Sequence, residues 1–266
     1  HNLGGGFQQG RIINIIAGTG AGKTTHVREL IKHWIFHTEL KPTIVSLEET
    51  AAQYSLGLLQ SYLKENFVWG RQGQDIVDML RGEKYVKAMK ELKYTEEGAP
   101  RYFIIDERSG SIGNIEDKME EMHKKYGSKL FVIDVLSDLL RGRNADLAED
   151  HMNFQREFVK DGVTIVNVMH TIKIPLGQDG RPRQVTEYDA LGTGSFVQSA
   201  AYNIVLNRDK MEDNKIMQNT TEVGLPKGRG SKTGIAGYWY FDFDTQTCYD
   251  LEDYKENNPH MFVGED

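Results

Sequence analysis

The chain has 266 residues, a formal net charge of −7 and a single cysteine, Cys248. One cysteine excludes an internal disulfide, and no apolar run reaches the roughly 18 residues that a transmembrane helix needs, so we expect no membrane contact. Residues 250–266 hold six acidic side chains and one lysine, which leaves the rest of the chain nearly neutral. The overall acidity therefore does not exclude DNA, because a neutral domain can carry local basic patches.

The N-terminal segment predicts a strand, a phosphate-binding loop and a helix. Residues 12–17 are an apolar run, and residues 24–34 contain no Gly or Pro and place apolar side chains on one helical face. Between them lies a match to G-x-x-x-x-G-K-[ST], formed by Gly18, Thr19, Gly20, Ala21, Gly22, Lys23, Thr24 and Thr25. In such a loop the backbone N–H groups and the helix N-terminus bind phosphate, the lysine reaches the β- and γ-phosphates and the first hydroxyl holds Mg²⁺. The sequence therefore predicts a nucleoside triphosphate site.

Further along, apolar runs alternate with helical stretches. The predicted strands cover 43–47, 102–105, 130–133, 163–169 and 204–206, and the predicted helices cover 51–66, 75–92, 115–125 and 149–160. This alternation predicts an α/β fold with a mostly parallel central sheet flanked by helices. After residue 220 the Gly-rich turns and the aromatic run 237–243 predict short antiparallel strands, so we expect one domain over 1–254 and an acidic C-terminal tail over 255–266.

Two predicted strands end in an aspartate that could hold Mg²⁺. One ends in Asp106, followed by Glu107, and the other ends in Asp134 with no acid after it. If Asp134 binds the metal, the carboxylate that activates water must come from another strand end, and Glu48 is the natural candidate because parallel strands end at one edge of the sheet. Periodicity alone leaves both possibilities open.

These motifs together resemble the hexameric replicative helicases with a RecA-like motor, DnaB and Twinkle among them, and most closely the helicase domain of phage primase-helicases. The resemblance covers about residues 3–254. Ser46-Leu47-Glu48-Glu49-Thr50 resembles the segment whose first glutamate activates water in that family, and Val132-Ile133-Asp134 resembles its metal-binding strand. The resemblance therefore implies Glu48 as a catalytic base and Thr24 and Asp134 as metal ligands, in preference to Asp106 and Glu107.

The resemblance also implies roles for residues in the second half of the chain. Val168-Met169-His170 resembles the strand that ends in a γ-phosphate sensor, here His170, and the segment from Gly194 to Gln198 resembles a helix whose glutamine, Gln198, relays between nucleotide and DNA. Arg208 is implied beside the nucleotide base, and Phe241 falls where an aromatic ring packs against that base.

A basic turn near residue 227 resembles an element that reaches a neighbouring subunit's nucleotide. In Leu225-Pro226-Lys227-Gly228-Arg229-Gly230 we favour Arg229 as an arginine finger, and Lys227 could share that role. Two further loops carry positive charge at the same predicted edge, and the resemblance implies that they bind single-stranded DNA through Arg141, Arg143, Lys173, Arg181 and Arg183.

As a whole, the resemblance implies an NTP-hydrolysing helicase motor that forms a homo-hexameric ring and translocates 5′ to 3′ on single-stranded or forked DNA. The expected cofactors are Mg²⁺ and ATP or a dNTP such as dTTP, and the acidic tail is a candidate docking segment for a DNA polymerase or a single-strand-binding protein. The chain begins at His1 and not at a methionine, so we expect upstream sequence. Its first residues lack the layout of a signal peptide, so we expect a cytoplasmic location (the host cytoplasm for a phage protein, the mitochondrial matrix as alternative). Two other functions remain open: a RecA-type or clock-type ATPase that remodels without unwinding, and a nucleotide-switched interaction module.

Overall fold

The computed structural model describes residues 3, 6–108, 111–140, 145–175, 183–191 and 194–262. Within these residues there are nine strands: β1 (Ile12–Ala17), β2 (Pro42–Ser46), β3 (Phe103–Asp106), β4 (Leu130–Asp134), β5 (Thr164–His170), β6 (Tyr202–Asn207), β7 (Thr220–Gly228), β8 (Gly234–Asp242) and β9 (Thr247–Asp250). They form one sheet in the order β3-β2-β4-β5-β1-β6-β7-β8-β9. The first six are parallel and the last three join antiparallel, which confirms the predicted sheet.

The described residues also form ten α-helices. They are α1 (Lys23–His37), α2 (Ala51–Leu63), α3 (Gln74–Leu80), α4 (Glu83–Lys93), α5 (Ile112–Tyr126), α6 (Leu136–Leu140), α7 (Ala145–Phe158), α8 (Gly194–Ser199), α9 (Lys215–Gln218) and α10 (Leu251–Asn257). None of these helices is both long enough and apolar enough to cross a membrane.

Strand β1 shows why the sheet needs helices on both faces. Ile13 and Ile15 pack into one cluster with α1 and α2, whereas Ile12 and Ile16 pack into a second cluster with α5 and α7. Successive side chains of a strand point to opposite faces, so a strand with apolar side chains on both faces must be covered twice. The sequence pattern of residues 12–17 is explained by this double burial.

The helices of the structure differ from the predicted ones in two instructive places. The helix predicted over 75–92 is divided, because Gly82 has an extended conformation (φ −62°, ψ 142°) and begins α4 as its N-cap. Glycine loses more backbone conformational entropy in a helix than other residues do, so a break between helices is favoured at Gly82. Helix α6 was not predicted, since five residues are too few to establish a 3.6-residue period.

The C-terminal residues pack onto the antiparallel strands. Tyr254 of α10 lies against Tyr240 of β8, with ring centroids 4.4 Å apart. Asp250 begins this helix by accepting hydrogen bonds from the backbone N–H groups of Glu252 and Asp253. The expected boundary between domain and tail at 254/255 therefore falls inside α10.

Candidate functional site

The phosphate-binding loop connects β1 to α1 at the carboxyl edge of the parallel strands. Gly20 and Gly22 have positive φ angles of 74° and 83°, a conformation that other residues adopt only at a cost. The N–H of Ala21 donates to the carbonyl of Gly18 at 3.3 Å and closes the turn. The glycines thus allow a tight loop whose remaining N–H groups lie beside the helix N-terminus, which suits an anion.

Lys23 is buried beneath this loop, although it is the first residue of α1. Its exposed fraction is 7%, and its Nζ donates to the carbonyl oxygens of Ala17 at 3.2 Å and Gly18 at 3.1 Å. Burial lowers the pKa of this ammonium, while the charges of Glu48 and Asp134 oppose that shift. The loop therefore concentrates positive charge where little water reaches it, which strengthens attraction for phosphate.

Asp134 is the buried carboxylate of the site. Its Oδ2 accepts a hydrogen bond from the hydroxyl of Tyr54 at 3.4 Å, and its Oδ1 is buried with no hydrogen-bond partner among the described residues. Burial raises the pKa of Asp134 to about 7, and the charges of Glu48 and Glu49 contribute to that rise. A carboxylate with an unsatisfied buried oxygen lacks a cation or donor, so Asp134 fits a divalent metal ion, and so does the half-buried Thr24 at the second position of α1.

Glu48 and His170 meet across two strand ends. Glu48 follows β2 and His170 ends β5, and Glu48 Oε1 lies 3.3 Å from His170 Nε2. The Oγ of Ser137 accepts the backbone N–H of His170 at 3.0 Å, which fixes the end of β5. Asp138 on α6 joins them, since one ligand atom each from Glu48, Asp138 and His170 lie within 4.8 Å of one another. Asp138 was not predicted, because a lone acid in a short apolar helix carries no motif.

Asp106 and Glu107 come at the end of β3, which pairs with β2 but lies far from the phosphate-binding loop. Strand β3 is at the edge of the sheet, four strands from β1, a separation of roughly 19 Å at the usual strand spacing. Asp106 accepts the N–H of Ala51 at 3.0 Å, at the start of α2, and pairs with Arg108 at 2.9 Å. Glu107 pairs with Lys118 at 2.7 Å. Both acids therefore have structural partners.

Lys227 and Arg229 lie at the end of β7, and they differ in environment. Lys227 donates to the carbonyl oxygens of Val197 at 3.0 Å and Gln198 at 2.7 Å, at the end of α8. Arg229 is exposed, and its side chain makes no hydrogen bond or ion pair with the described residues. The side chain of Gln198 is also exposed. Lys227 is thus engaged by its own chain, whereas the Arg229 side chain faces solvent.

Arg208 and Phe241 converge on a single residue, Asn219. The guanidinium of Arg208 donates to the Gln218 carbonyl at 2.7 Å and to Asn219 Oδ1 at 2.6 Å. The backbone N–H of Phe241 donates to the Asn219 carbonyl at 2.9 Å. These two residues are therefore neighbours beside the β6–α9 connection, which follows the strand next to β1.

Of the five basic residues expected to bind DNA, three (Arg141, Arg143 and Arg181) lie outside the described residues. Lys173 is exposed just after β5. Arg183 forms two hydrogen bonds with Asp189, at 2.7 and 2.6 Å, which hold the pKa of that carboxyl well below its usual range. The charge of Arg183 is therefore largely offset, while that of Lys173 faces solvent.

One further basic residue at the loop was missed by sequence reasoning. Lys210, in the polar connection between β6 and α9, donates from Nζ to the carbonyl of Thr19 at 2.7 Å. No periodicity or motif marks this position, because its proximity to residue 19 depends only on the tertiary fold.

Comparison with known proteins agrees with this architecture. The family model of the DnaB-like helicase C-terminal domain matches residues 1–247. Among solved structures, the ATPase domain of a phage helicase has a TM-score of 0.69 at 18% identity, and the match covers 92% of this chain and 86% of that domain. A DnaB-like replicative helicase, described with its primase interactions, has a TM-score of 0.70 at 18% identity, and the match spans 92% of this chain and 58% of the helicase. The KaiC-like protein PH0186 from Pyrococcus horikoshii OT3 has a TM-score of 0.61 at 20% identity, with 93% of each chain covered.

Proposed function

The chain belongs to the family of DnaB-like helicase C-terminal domains, and from that premise we propose that it is the NTP-hydrolysing motor of a replicative DNA helicase. The observation that carries the proposal is the contact between Glu48 and His170, whose Oε1 and Nε2 atoms lie 3.3 Å apart. This contact lies at the same edge of the sheet as the phosphate-binding loop that follows β1. A binding module needs the loop alone, whereas hydrolysis also needs a carboxylate that can orient or deprotonate water.

Mg²⁺ would be held by Thr24 and Asp134. The fit rests on the buried Oδ1 of Asp134, which has no hydrogen-bond partner among the described residues, and on oxygen being the ligand that Mg²⁺ prefers. When bound, the ion would neutralise charge on the β- and γ-phosphates. Because the metal must compete with a proton on a carboxyl of pKa about 7, its affinity should rise as the pH rises through neutrality.

The chain's own side chains have separable tasks in this scheme. Gly18 through Thr25 surround the phosphates, with Lys23 as the buried cation. Glu48 acts as the base that positions the attacking water. His170 detects the γ-phosphate, and its Nε2 already interacts with Glu48, so the sensor and the base are directly coupled. The arrangement thus links loss of the γ-phosphate to a change at the end of β5.

The segment after His170 provides a short route from the nucleotide to DNA. The carbonyl of His170 accepts the N–H of Leu191 at 2.7 Å, and the N–H of Ile172 donates to the Asp189 carbonyl at 2.8 Å. Lys173 follows directly and is exposed. We propose Lys173 as a contact to the phosphates of single-stranded DNA, together with Arg141, Arg143 and Arg181, while Arg183 pairs with Asp189.

The remaining site residues complete the nucleotide pocket. Arg208 and Phe241 are proposed beside the base, since both are anchored to Asn219. Gln198 is proposed as the relay on α8, and Lys227 orients that helix through its two carbonyl contacts. Arg229 is proposed to act in trans on a neighbouring subunit's nucleotide, because an exposed guanidinium can stabilise the charge of the transferred phosphoryl group.

At the level of assembly, we propose a homo-hexameric ring that moves 5′ to 3′ on single-stranded DNA within the cytoplasm. Residues 1–254 would form the motor, and residues 255–266 would dock a DNA polymerase or a single-strand-binding protein. The fuel would be ATP or a dNTP such as dTTP.

Strand displacement on a forked duplex, measured with ATP and each dNTP in turn, tests the function. We expect displacement with at least one nucleotide in the presence of Mg²⁺ and none with Lys23→Ala. Hydrolysis without displacement would favour a RecA-type or clock-type ATPase instead, and nucleotide binding without hydrolysis would favour a switched interaction module.

A further inference from the structure

Lys210 lies against the phosphate-binding loop at Thr19 and Gly20, whereas Lys23 contacts the loop at Ala17 and Gly18. Its Nζ is 2.7 Å from the carbonyl oxygen of Thr19. A Cβ added to Gly20 would approach that same nitrogen to 2.8 Å. Two consecutive loop residues thus define the position of this ammonium, which belongs to the loop although it lies 191 positions from Thr19 in sequence.

The backbone that carries Lys210 is fixed by its neighbours. Its carbonyl accepts a hydrogen bond from Gln218 Nε2 at 3.0 Å. Two residues earlier, Arg208 is tied to the Gln218 carbonyl at 2.7 Å. The backbone between Arg208 and Lys210 is therefore held at both residues by Gln218. The Lys210 side chain itself is exposed and can move.

The hydrogen bonding of Lys210 leaves capacity for an anion. An ammonium has three N–H donors, and among the described residues its hydrogen-bond partner is one neutral carbonyl. Lys23 has the carboxylates of Glu48, Asp134 and Asp138 as opposing charges, whereas the charge of Lys210 repels that of Lys23. Two cations on one loop are better satisfied by a multiply charged anion than by each other.

We propose that Lys210 is a nucleotide-binding residue whose ammonium contacts the phosphate chain of the bound nucleoside triphosphate, as a second cation beside Lys23. The inference rests on the proposed nucleotide site and adds a residue to it. On binding, the ammonium exchanges the neutral Thr19 carbonyl for a charged phosphate oxygen, which is a stronger hydrogen bond. Because the side chain is exposed, it acts on affinity more than on the chemical step.

The test compares dissociation constants of ATP, ADP and AMP for the full chain and for Lys210→Gln, which keeps most of the side-chain length and removes the charge. We expect ATP and ADP to bind about tenfold more weakly to the variant, a size typical for loss of one charge-assisted contact, with a smaller loss for AMP. The difference should shrink at high salt, and Lys210→Arg should bind ATP nearly as the unmodified chain does. Lys215→Gln, an exposed lysine on α9, is the matched control and should bind normally.

Wild-type affinity of Lys210→Gln for ATP would overturn the inference and leave the proposed function standing. The same would follow from an equal loss for ATP and AMP, or from a loss accompanied by a lower thermal midpoint without nucleotide, because either result indicates a structural role. Failure of the unmodified chain itself to bind ATP or ADP would instead overturn the proposed function.

Discussion

At the residue scale, burial is what adapts ordinary side chains to this site. Asp134 and Lys23 are both buried. Burial raises the pKa of Asp134 and lowers that of Lys23, so it favours the neutral form of each side chain. Such shifts are costly in a merely structural position and useful where a phosphate and a metal ion restore the charges. The sequence motif identifies Lys23, but only the fold shows that Asp134, and not Asp106, is the buried acid.

His26 contacts the phosphate-binding loop and makes the folding stability of the chain depend on pH. Its Nδ1 lies 2.7 Å from the carbonyl of Gly22, and its ring stacks on Trp239 with centroids 5.4 Å apart. Burial lowers the pKa of His26 from 6.5 to about 4. The unfolded chain therefore takes up a proton below pH 6.5 that the folded chain refuses until about pH 4, so folding stability is lost as the pH falls through this window.

Replacing this imidazole by a ring that does not titrate should remove that contribution. Between pH 7 and pH 4.5, the free energy of unfolding of the unmodified chain should fall by about 2–3 kcal/mol more than that of His26→Phe. Urea unfolding of both proteins at the two pH values measures the difference. Parallel losses in the two proteins would show that His26 is not held neutral.

At the element scale, a network of buried polar side chains crosses the sheet and joins α7 to β5, which ends at His170, and to β1, which leads into the phosphate-binding loop. Asn167 of β5 donates to Asn14 Oδ1 at 3.2 Å and to Gln155 Oε1 at 2.9 Å, and it accepts from Gln155 Nε2 at 3.0 Å. Asn14 of β1 continues the chain to Asn203 of β6 at 3.0 Å. All four of these side chains are fully buried, so each depends on its partners for hydrogen bonds.

Removing the central amide should therefore be expensive. Asn167→Leu leaves donors and acceptors on Asn14 and Gln155 unsatisfied, and we expect a loss of about 2–4 kcal/mol in the free energy of unfolding. Asn153→Leu, at an exposed position of α7, is the control and should change stability by less than about 0.5 kcal/mol. Denaturant titration decides, and equal stabilities of the two variants would refute the network.

The same scale shows what could be predicted from sequence. The bounds of β1 were predicted correctly, because a run with five apolar residues out of six is followed by a loop with a strong motif. The position of β3 at the edge could not be predicted, since strand order depends on contacts between distant segments. For the same reason Asp138 and Lys210 escaped notice: each reaches the site only through the path of the chain in three dimensions.

At the scale of the whole molecule, we propose that the site is completed by a residue of a neighbouring subunit. Arg229 is exposed at the end of β7 and makes no hydrogen bond or ion pair with the described residues of its own chain. We expect Arg229→Ala to hydrolyse nucleotide about 10³-fold more slowly or worse, as when an arginine finger is lost. Mixing it with Lys23→Ala subunits should restore part of the hydrolysis, because the intact Arg229 of one variant then meets the intact loop of the other.

Hydrolysis in the mixture no greater than in the separate variants would argue that Arg229 acts within its own subunit or not at all. Lys227 is less suited than Arg229 to reach a neighbouring subunit, because its ammonium donates hydrogen bonds to the end of α8. The control is a mixture of unmodified and Lys23→Ala chains, which reports how well subunits exchange.

The central claim is that Glu48 is the water-activating carboxylate of an NTP-driven motor that DNA stimulates. Steady-state hydrolysis with and without single-stranded DNA tests this claim most directly. The unmodified chain should hydrolyse nucleotide faster with DNA, and Glu48→Gln should lose about 10²–10⁴-fold in rate while still binding nucleotide. Glu107→Gln, whose carboxylate pairs with Lys118 away from the site, should keep both the rate and its stimulation. Hydrolysis by Glu48→Gln at the unmodified rate, or its loss in Glu107→Gln instead, would contradict the account.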